Sequence, residues 1–274
     1  MSKGRVFITG GASGLGKAMA HKYASEGFQV CIGDVHQERG LETQQALKAI
    51  QSECFFVQCN VTSRDSIKSV KDELEQRWGG IDILINNAGI VGTVGHIDTV
   101  NVDDWKLAFD INLFGVARCC EIFVPMFKKI GGGQIINIAS AAGIVQAPMM
   151  ANYNANKTAV IALSETLHLE LVRDNIDISV VCPSFFPTNL TESLSSPIDG
   201  LDNTVNRFMK GSKLSADDVA SIIFEKSQKK QFMIITHTIE KIIWRVKRFM
   251  PNVFYKLARK RTKQVFDKFD AKKK

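Results

Sequence analysis

Short apolar runs at 5–8, 29–33, 54–58, 81–85, 134–138, 178–182 and 231–235 alternate with stretches of helical period at 15–26, 38–50, 63–77, 103–130, 153–174 and 216–228. The runs show no polar alternation, as strands buried on both faces of a parallel sheet require. Parallel neighbours cannot be joined by a hairpin. They need a crossover of helical length, which the intervening stretches supply. The pattern predicts one doubly wound α/β domain with helices on both faces. No internal repeat or low-complexity linker interrupts it. The longest segment without periodicity is 183–212, the kind of loop that serves as a lid or binding loop.

With 45% apolar and 23% charged residues, the chain cannot be a mostly disordered polypeptide, a collagen-like fibre or a small disulfide scaffold. The six cysteines, several in apolar runs, form no C-x-x-C pair and are expected to be reduced and mostly buried. No His/Cys group has ligand spacing, so no metal site is expected. The opening residues show no secretory pattern, and no uncharged apolar run approaches the ~20 residues that cross a bilayer. A cytoplasmic protein is expected. Charge is unevenly spread. Residues 241–274 hold 13 Lys/Arg and 2 Asp, a net of +11, whereas 1–240 net −4.

Four motifs carry chemistry. Thr9-Gly10-Gly11-Ala12-Ser13-Gly14-Leu15-Gly16 follows a strand and opens a helix. Glycines there allow a tight turn and bring backbone N–H groups to a pyrophosphate at a helix N-terminus; alone, such a turn is equally an ordinary turn. Asp34 ends the second strand, 18 residues beyond Gly16. Its carboxylate suits an adenosine ribose and repels a 2′-phosphate. Val35 and His36 supply no fixed cation, so NAD is favoured over NADP. Asn86-Asn87-Ala88-Gly89 follows the fourth strand and fits either a cofactor-packed loop or a plain turn. Tyr153 and Lys157 lie four apart on one helix face, with Ser140 at the carboxyl end of the preceding strand. A nearby ammonium can bring a phenol, whose free pKa is about 10, toward use as a base. Taken alone, Tyr-x-x-x-Lys also describes a solvated surface pair.

In this order, across roughly residues 4–236, the motifs resemble the short-chain dehydrogenase/reductase family. The resemblance implies a single Rossmann-like domain with a seven-stranded parallel sheet. It implies active residues Asn112, Ser140, Tyr153 and Lys157. Tyr153 would be the general acid/base. Lys157 would bind the nicotinamide ribose and lower the phenol pKa. Ser140 would orient the carbonyl or carbinol, and Asn112 would hold a water linking Lys157 to solvent. Cofactor contacts are implied at Thr9, Gly10, Ser13, Gly14, Leu15, Gly16, Asp34, Asn60, Val61, Asn87, Ala88, Gly89, Tyr153, Lys157, Pro183 and Thr188. Two departures stand out. Asn60-Val61 replaces the family's Asp-Val, where the amide oxygen is expected to keep an acceptor for adenine. Pro183-Ser184 replaces Pro-Gly, where a side chain could hinder approach to nicotinamide.

The segments expected at the pocket are apolar: Ile144, Val145, Pro148, Met149 and Met150, then Phe185, Phe186, Pro187, Leu190, Leu194, Ile198, Leu201, Phe208 and Met209. Between 141 and 206 the only Arg is Arg173, so a carboxylate substrate has no evident clamp. A hydrophobic alcohol or ketone (long-chain, retinoid-like or steroid-like) is favoured over a small acid. Many of these residues equally suit core or a subunit interface.

The domain is expected to span 1–238, with a basic amphipathic helical extension over 239–274. There Ile239, Ile242, Ile243, Trp244, Val246, Phe249 and Met250, and beyond Pro251 Val253, Phe254, Leu257, Ala258, Val265, Phe266 and Phe269, interleave with Lys/Arg. Such interleaving suits an interfacial helix on an anionic membrane, a tail packed on a partner subunit, or a solvated end. Peripheral membrane association is favoured, nucleic acid is not expected, and a homo-oligomer is implied by the resemblance. The leading function is an NAD-dependent oxidoreductase of hydrophobic alcohols. The alternatives are an NADPH-dependent carbonyl reductase and a non-catalytic nucleotide-binding membrane-surface protein.

Overall fold

A computed structural model of the chain describes residues 3–187, 189–198 and 211–271. Thr188, Leu201, Phe208 and Met209, named above for the cofactor or pocket, lie outside these residues, as do the side chains of Val265 and Phe269.

The elements run β1 (Arg5–Thr9), α1 (Gly14–Ser25), β2 (Gln29–Asp34), α2 (Gln37–Lys48), β3 (Phe55–Gln58), α3 (Arg64–Trp78) and β4 (Ile83–Asn86). The second half has β5 (Gly92–Thr93), α4 (Asp103–Phe109), α5 (Gly115–Ile130), β6 (Gly133–Ile138), α6 (Ala151–Glu170), β7 (Ile176–Cys182), β8 (Leu194–Ser195), α7 (Ala216–Gln228), β9 (Met233–Ile235), α8 (Thr238–Phe249) and α9 (Pro251–Ala271). Seven strands form one sheet in the order β3-β2-β1-β4-β6-β7-β9, every pairing parallel. The expected seven-stranded, doubly wound sheet is therefore observed.

Alternation along β1 shows why the strands read as unbroken apolar runs. Phe7 enters one core with Cys31, Leu84, Ile135 and Phe123, while Val6 and Ile8 enter the other with Met19, Tyr23, Val219 and Ile223. Each strand thus buries both faces. Strand order reverses between β1 and β4, so the crevice beyond their carboxyl ends is where a doubly wound sheet binds its ligand.

Two features depart from the sequence reading. The stretch 103–130 is not one helix. A π-helical turn, Asp110–Phe114, separates α4 from α5 and carries Asn112. One extra residue in a turn rotates what it carries relative to the flanking helix, which sends Asn112 inward. A two-stranded parallel pair, β5 with β8, was also not expected. It ties the loop after β4 to the segment after β7.

Candidate active site

A cleft of about 690 Å³ opens at the carboxyl ends of β1, β4 and β6. At one end, Gly10 and Gly14 take positive φ (63° and 50°), a conformation that glycine adopts without strain. A Cβ on Gly16 would stand 2.0 Å from the Gly10 carbonyl oxygen, so α1 can pack this close only without a side chain. Ser13 precedes α1 in extended conformation and makes no side-chain cap, leaving the first N–H groups of α1 to an external anion. The turn is held from β4. Thr9 Oγ1 accepts from the N–H groups of Asn87 (3.0 Å) and Ala88 (3.1 Å), and Asn87 Nδ2 donates to the carbonyls of Thr9 and Gly10, both at 3.0 Å.

Asp34 is buried at the end of β2. Its Oδ2 accepts from Ala12 N–H (3.1 Å) and its Oδ1 from His36 N–H (3.0 Å), which fixes the carboxylate facing the cleft. Asn60 and Val61 line the same wall. The Asn60 amide oxygen, expected to be kept for adenine, already accepts from Thr62 N–H (3.0 Å) and Thr62 Oγ1 (2.8 Å).

At the other end, Met149 at φ 65° turns the chain into α6, whose first turns present Tyr153 and Lys157. Burial pushes the Tyr153 phenol up to about 12, opposed by its hydrogen bond with Ser140. Burial brings the Lys157 ammonium down to about 8, opposed by the nearby Cys182. Lys157 Nζ donates to the Ile138 carbonyl at 2.9 Å and stands 5.9 Å from the Tyr153 ring centre. The phenol is thus set by burial, with Ser140 rather than the expected Lys157 opposing it. Ser140 Oγ accepts from Ala142 N–H at 3.1 Å, which fixes the hydroxyl at the end of β6.

Asn112 does not line the cleft. Its carboxamide donates to the Ile90 carbonyl (2.8 Å) and Asn156 Oδ1 (3.0 Å) and accepts from Ile90 N–H (2.8 Å). These contacts hold the loop after β4 through Ile90 and reach α6 through Asn156. A Cβ on Gly89 would lie 3.0 Å from Asn112 Oδ1 and 3.4 Å from Lys157 Nζ, so the missing side chain leaves room for both.

The structure therefore gathers Gly10, Ser13, Gly14, Leu15, Asp34, Asn60, Val61, Asn87, Ala88, Gly89, Ser140, Tyr153, Lys157 and Pro183 around one cleft. Thr9, Gly16 and Asn112 shape it from behind. The residues present fit a dinucleotide: a glycine cradle that a Cβ would fill, an uncapped helix start and a fixed carboxylate facing the cleft.

The family model described as short chain dehydrogenase matches residues 5–199. The chain is a short-chain dehydrogenase/reductase. This member of the family is 34% identical over 216 residues to the 3-oxoacyl-[acyl-carrier-protein] reductase FabG of Thermotoga maritima, covering 79% of this chain and 87% of that protein. It is 33% identical over 193 residues to a 3beta-hydroxysteroid dehydrogenase of Mediterraneibacter gnavus, covering 70% of each. Among solved structures, a Burkholderia phymatum short chain dehydrogenase/reductase in complex with NAD superimposes with a TM-score of 0.86 at 29% identity, covering 92% of this chain and 95% of that one. The short-chain dehydrogenase/reductase is an oxidoreductase acting on CH–OH groups with NAD(P).

Several cleft residues escaped the sequence reading. Arg39 and Glu192 reach the cleft from opposite sides and pair across it. Glu240 and Ile243 of α8 form an outer wall. Ser184 N–H donates to His237 Nδ1 at 3.3 Å, and Lys247 Nζ donates to the Ile144 carbonyl at 2.9 Å and to Gln146 Oε1. The start of the basic extension is thus built into this short-chain dehydrogenase/reductase's cleft. Further on, Phe266 of α9 lies 5.6 Å, ring to ring, from His96. Among the described residues no helix is long and apolar enough to cross a membrane, and no group of three metal-ligating side chains occurs.

Proposed function

We propose that this enzyme uses NAD to interconvert a hydrophobic alcohol, long-chain, retinoid-like or steroid-like, and its carbonyl compound. The supporting observation is one continuous cleft, with the glycine turn and Asp34 at one end and Ser140, Tyr153 and Lys157 at the other. When bound, the dinucleotide supplies the hydride-accepting carbon. Asp34 and the start of α1 hold the adenosine ribose and pyrophosphate. Ser140 orients the substrate oxygen. Tyr153 takes the hydroxyl proton in oxidation and returns it in reduction. Lys157, fixed by Ile138, holds the nicotinamide ribose and keeps a positive charge beside the phenol, which favours phenolate.

The apolar substrate class is supported by the lining. Val91, Met150 and Leu190 pack with Tyr153, and Val145, Phe185 and Ile243 line the same cleft. The carboxylate of Glu240 there disfavours an acidic substrate. The steroid dehydrogenase among the relatives acts, by its name, on a molecule of this class.

In this reading residues 1–238 form the catalytic domain and 239–274 an extension that adds the outer pocket wall. The exposed Ile239, Ile242, Phe249, Val253 and Leu257 make an apolar stripe among Lys241, Arg245, Lys256 and Arg259, suited to an anionic membrane surface. A homo-oligomer and a cytoplasmic location with membrane attachment complete the proposal.

Purified protein mixed with NAD and separate long-chain, retinoid and steroid alcohols, or short hydroxy acids, tests it at the nicotinamide absorbance band. Turnover is expected with the apolar alcohols. Preference for the hydroxy acids would overturn the substrate class.

A further inference from the structure

Val35 and His36 leave no fixed cation directly after Asp34, yet the fold delivers one from further along. Arg39, in the first turns of α2, lines the cleft on the Asp34 side and is close enough to feel that carboxylate's charge. Its guanidinium does not face the cleft unpartnered. Nη1 donates to Glu192 Oε2 at 2.9 Å and Nη2 to Glu192 Oε1 at 3.5 Å, a contact spanning 153 residues. Glu192 is itself fixed, because Asn189 Nδ2 donates to Oε1 at 2.5 Å. Both partners are about half exposed, at 43% and 49%. An ion pair that wet is weak and separates readily.

We propose that the Arg39–Glu192 pair sets the choice between the two nicotinamide dinucleotides: Glu192 occupies the guanidinium that would otherwise take a 2′-phosphate. Asp34 repels a phosphate on the ribose, and among the described cleft-lining residues Arg39 is the one Arg or Lys at that end. While Glu192 neutralises it, the net field around Asp34 is negative and the dinucleotide without the phosphate is preferred. With Arg39 released, a guanidinium fork matches the phosphate. The same pair bridges α2 to the segment after β7, and both partners line the cleft.

This inference rests on the dinucleotide reading of the cleft. The experiment measures dissociation constants of NADH and NADPH by nicotinamide fluorescence on wild type, Glu192→Gln, Arg39→Met and the double variant. Intact folding is checked by near-UV circular dichroism. In Glu192→Gln, NADPH is expected to bind about three- to tenfold tighter, with NADH changed less than about twofold. Arg39→Met weakens NADPH, and in the double variant the gain disappears. Added salt erodes the Glu192→Gln gain, since the new contact is ionic and exposed. If both dinucleotides bind wild type and Glu192→Gln leaves their ratio unmoved, the pair has no part in the choice. If neither binds wild type, the dinucleotide reading fails and the pair's role with it. A gain in Glu192→Gln that survives Arg39→Met would also overturn the proposal, by assigning the effect to loss of negative charge alone.

Discussion

Ser184 Oγ donates to Glu240 Oε1 at 2.5 Å, joining the segment after β7 to the first turn of α8. Ser184 stands where the family's pattern has glycine. Its side chain holds α8 against the cleft.

That latch is testable on its own. Ser184→Ala removes one half-buried hydrogen bond to a carboxylate, a loss of about 1–2 kcal/mol. The melting temperature is expected to fall by about 2–6 °C, with NADH affinity unchanged. Limited proteolysis should cut within 238–249 sooner than in wild type. Equal cleavage rates would show that α8 is held by other contacts.

Tyr153→Phe deletes the proton-carrying oxygen and little else. Turnover with an apolar alcohol is expected to drop by at least about a hundredfold. NADH affinity stays within about twofold. Retained turnover would falsify the assignment of Tyr153 as acid/base.

Buried Lys157 makes stability depend on pH. Its ammonium titrates near 8 in the folded chain against 10.5 as the ordinary value. Between these values the unfolded chain binds more protons, so stability rises with pH and is lost again as pH falls through 8. The full term is on the order of 3 kcal/mol. Tyr153, pushed up to about 12, acts oppositely above its ordinary value of 10, where only the unfolded chain loses its proton. Denaturant midpoints of wild type and Lys157→Met from pH 7 to 10 check this. Wild type should gain on the variant as pH rises. A constant difference would mean that Lys157 is not the titrating group.

Gly16→Ala places a methyl 2.0 Å from the Gly10 carbonyl oxygen. The backbone must shift, at a cost of about 2 kcal/mol or more. Calorimetry should report a lower melting temperature, and NADH binding should weaken at least about tenfold, because the shifted turn is the proposed pyrophosphate cradle. A fully stable variant with normal affinity would contradict the packing described.

For the extension, Lys256, Arg259, Lys260 and Arg261 are exposed on α9. Replacing all four by Glu is expected to lower partitioning onto anionic vesicles at least about a hundredfold in a sedimentation assay. Neutral vesicles should retain little of either protein. Equal sedimentation of both proteins with anionic vesicles would dismiss the membrane surface as partner.

Local chemistry was legible where a residue's neighbours in sequence define its setting. The position of Asp34 at the end of β2 is legible because it closes an apolar run beyond a glycine turn, and the seven strands of the main sheet are legible because two-sided burial leaves an unbroken apolar trace, whereas the short β5 and β8 leave none. The Arg39–Glu192 pair left no such trace, since only the assembled sheet brings residues 153 apart together. The π turn at Asp110–Phe114 is hidden for another reason. One inserted residue hardly disturbs a helical apolar period over a long window, yet it redirects Asn112. The extension showed its amphipathic character but not its two apolar faces. Ile243 and Trp244 turn inward to the cleft and core, while Ile239, Ile242 and Phe249 face outward.

The wall contributed by α8 follows the glycine cradle, Asp34 and the Tyr153 helix in chain order. On the proposed function, a protein clipped before residue 238 would keep the glycine cradle while losing Glu240 and Ile243 from the cleft wall, so an intact α8 would govern whether Ser140 and Tyr153 are sheltered from water.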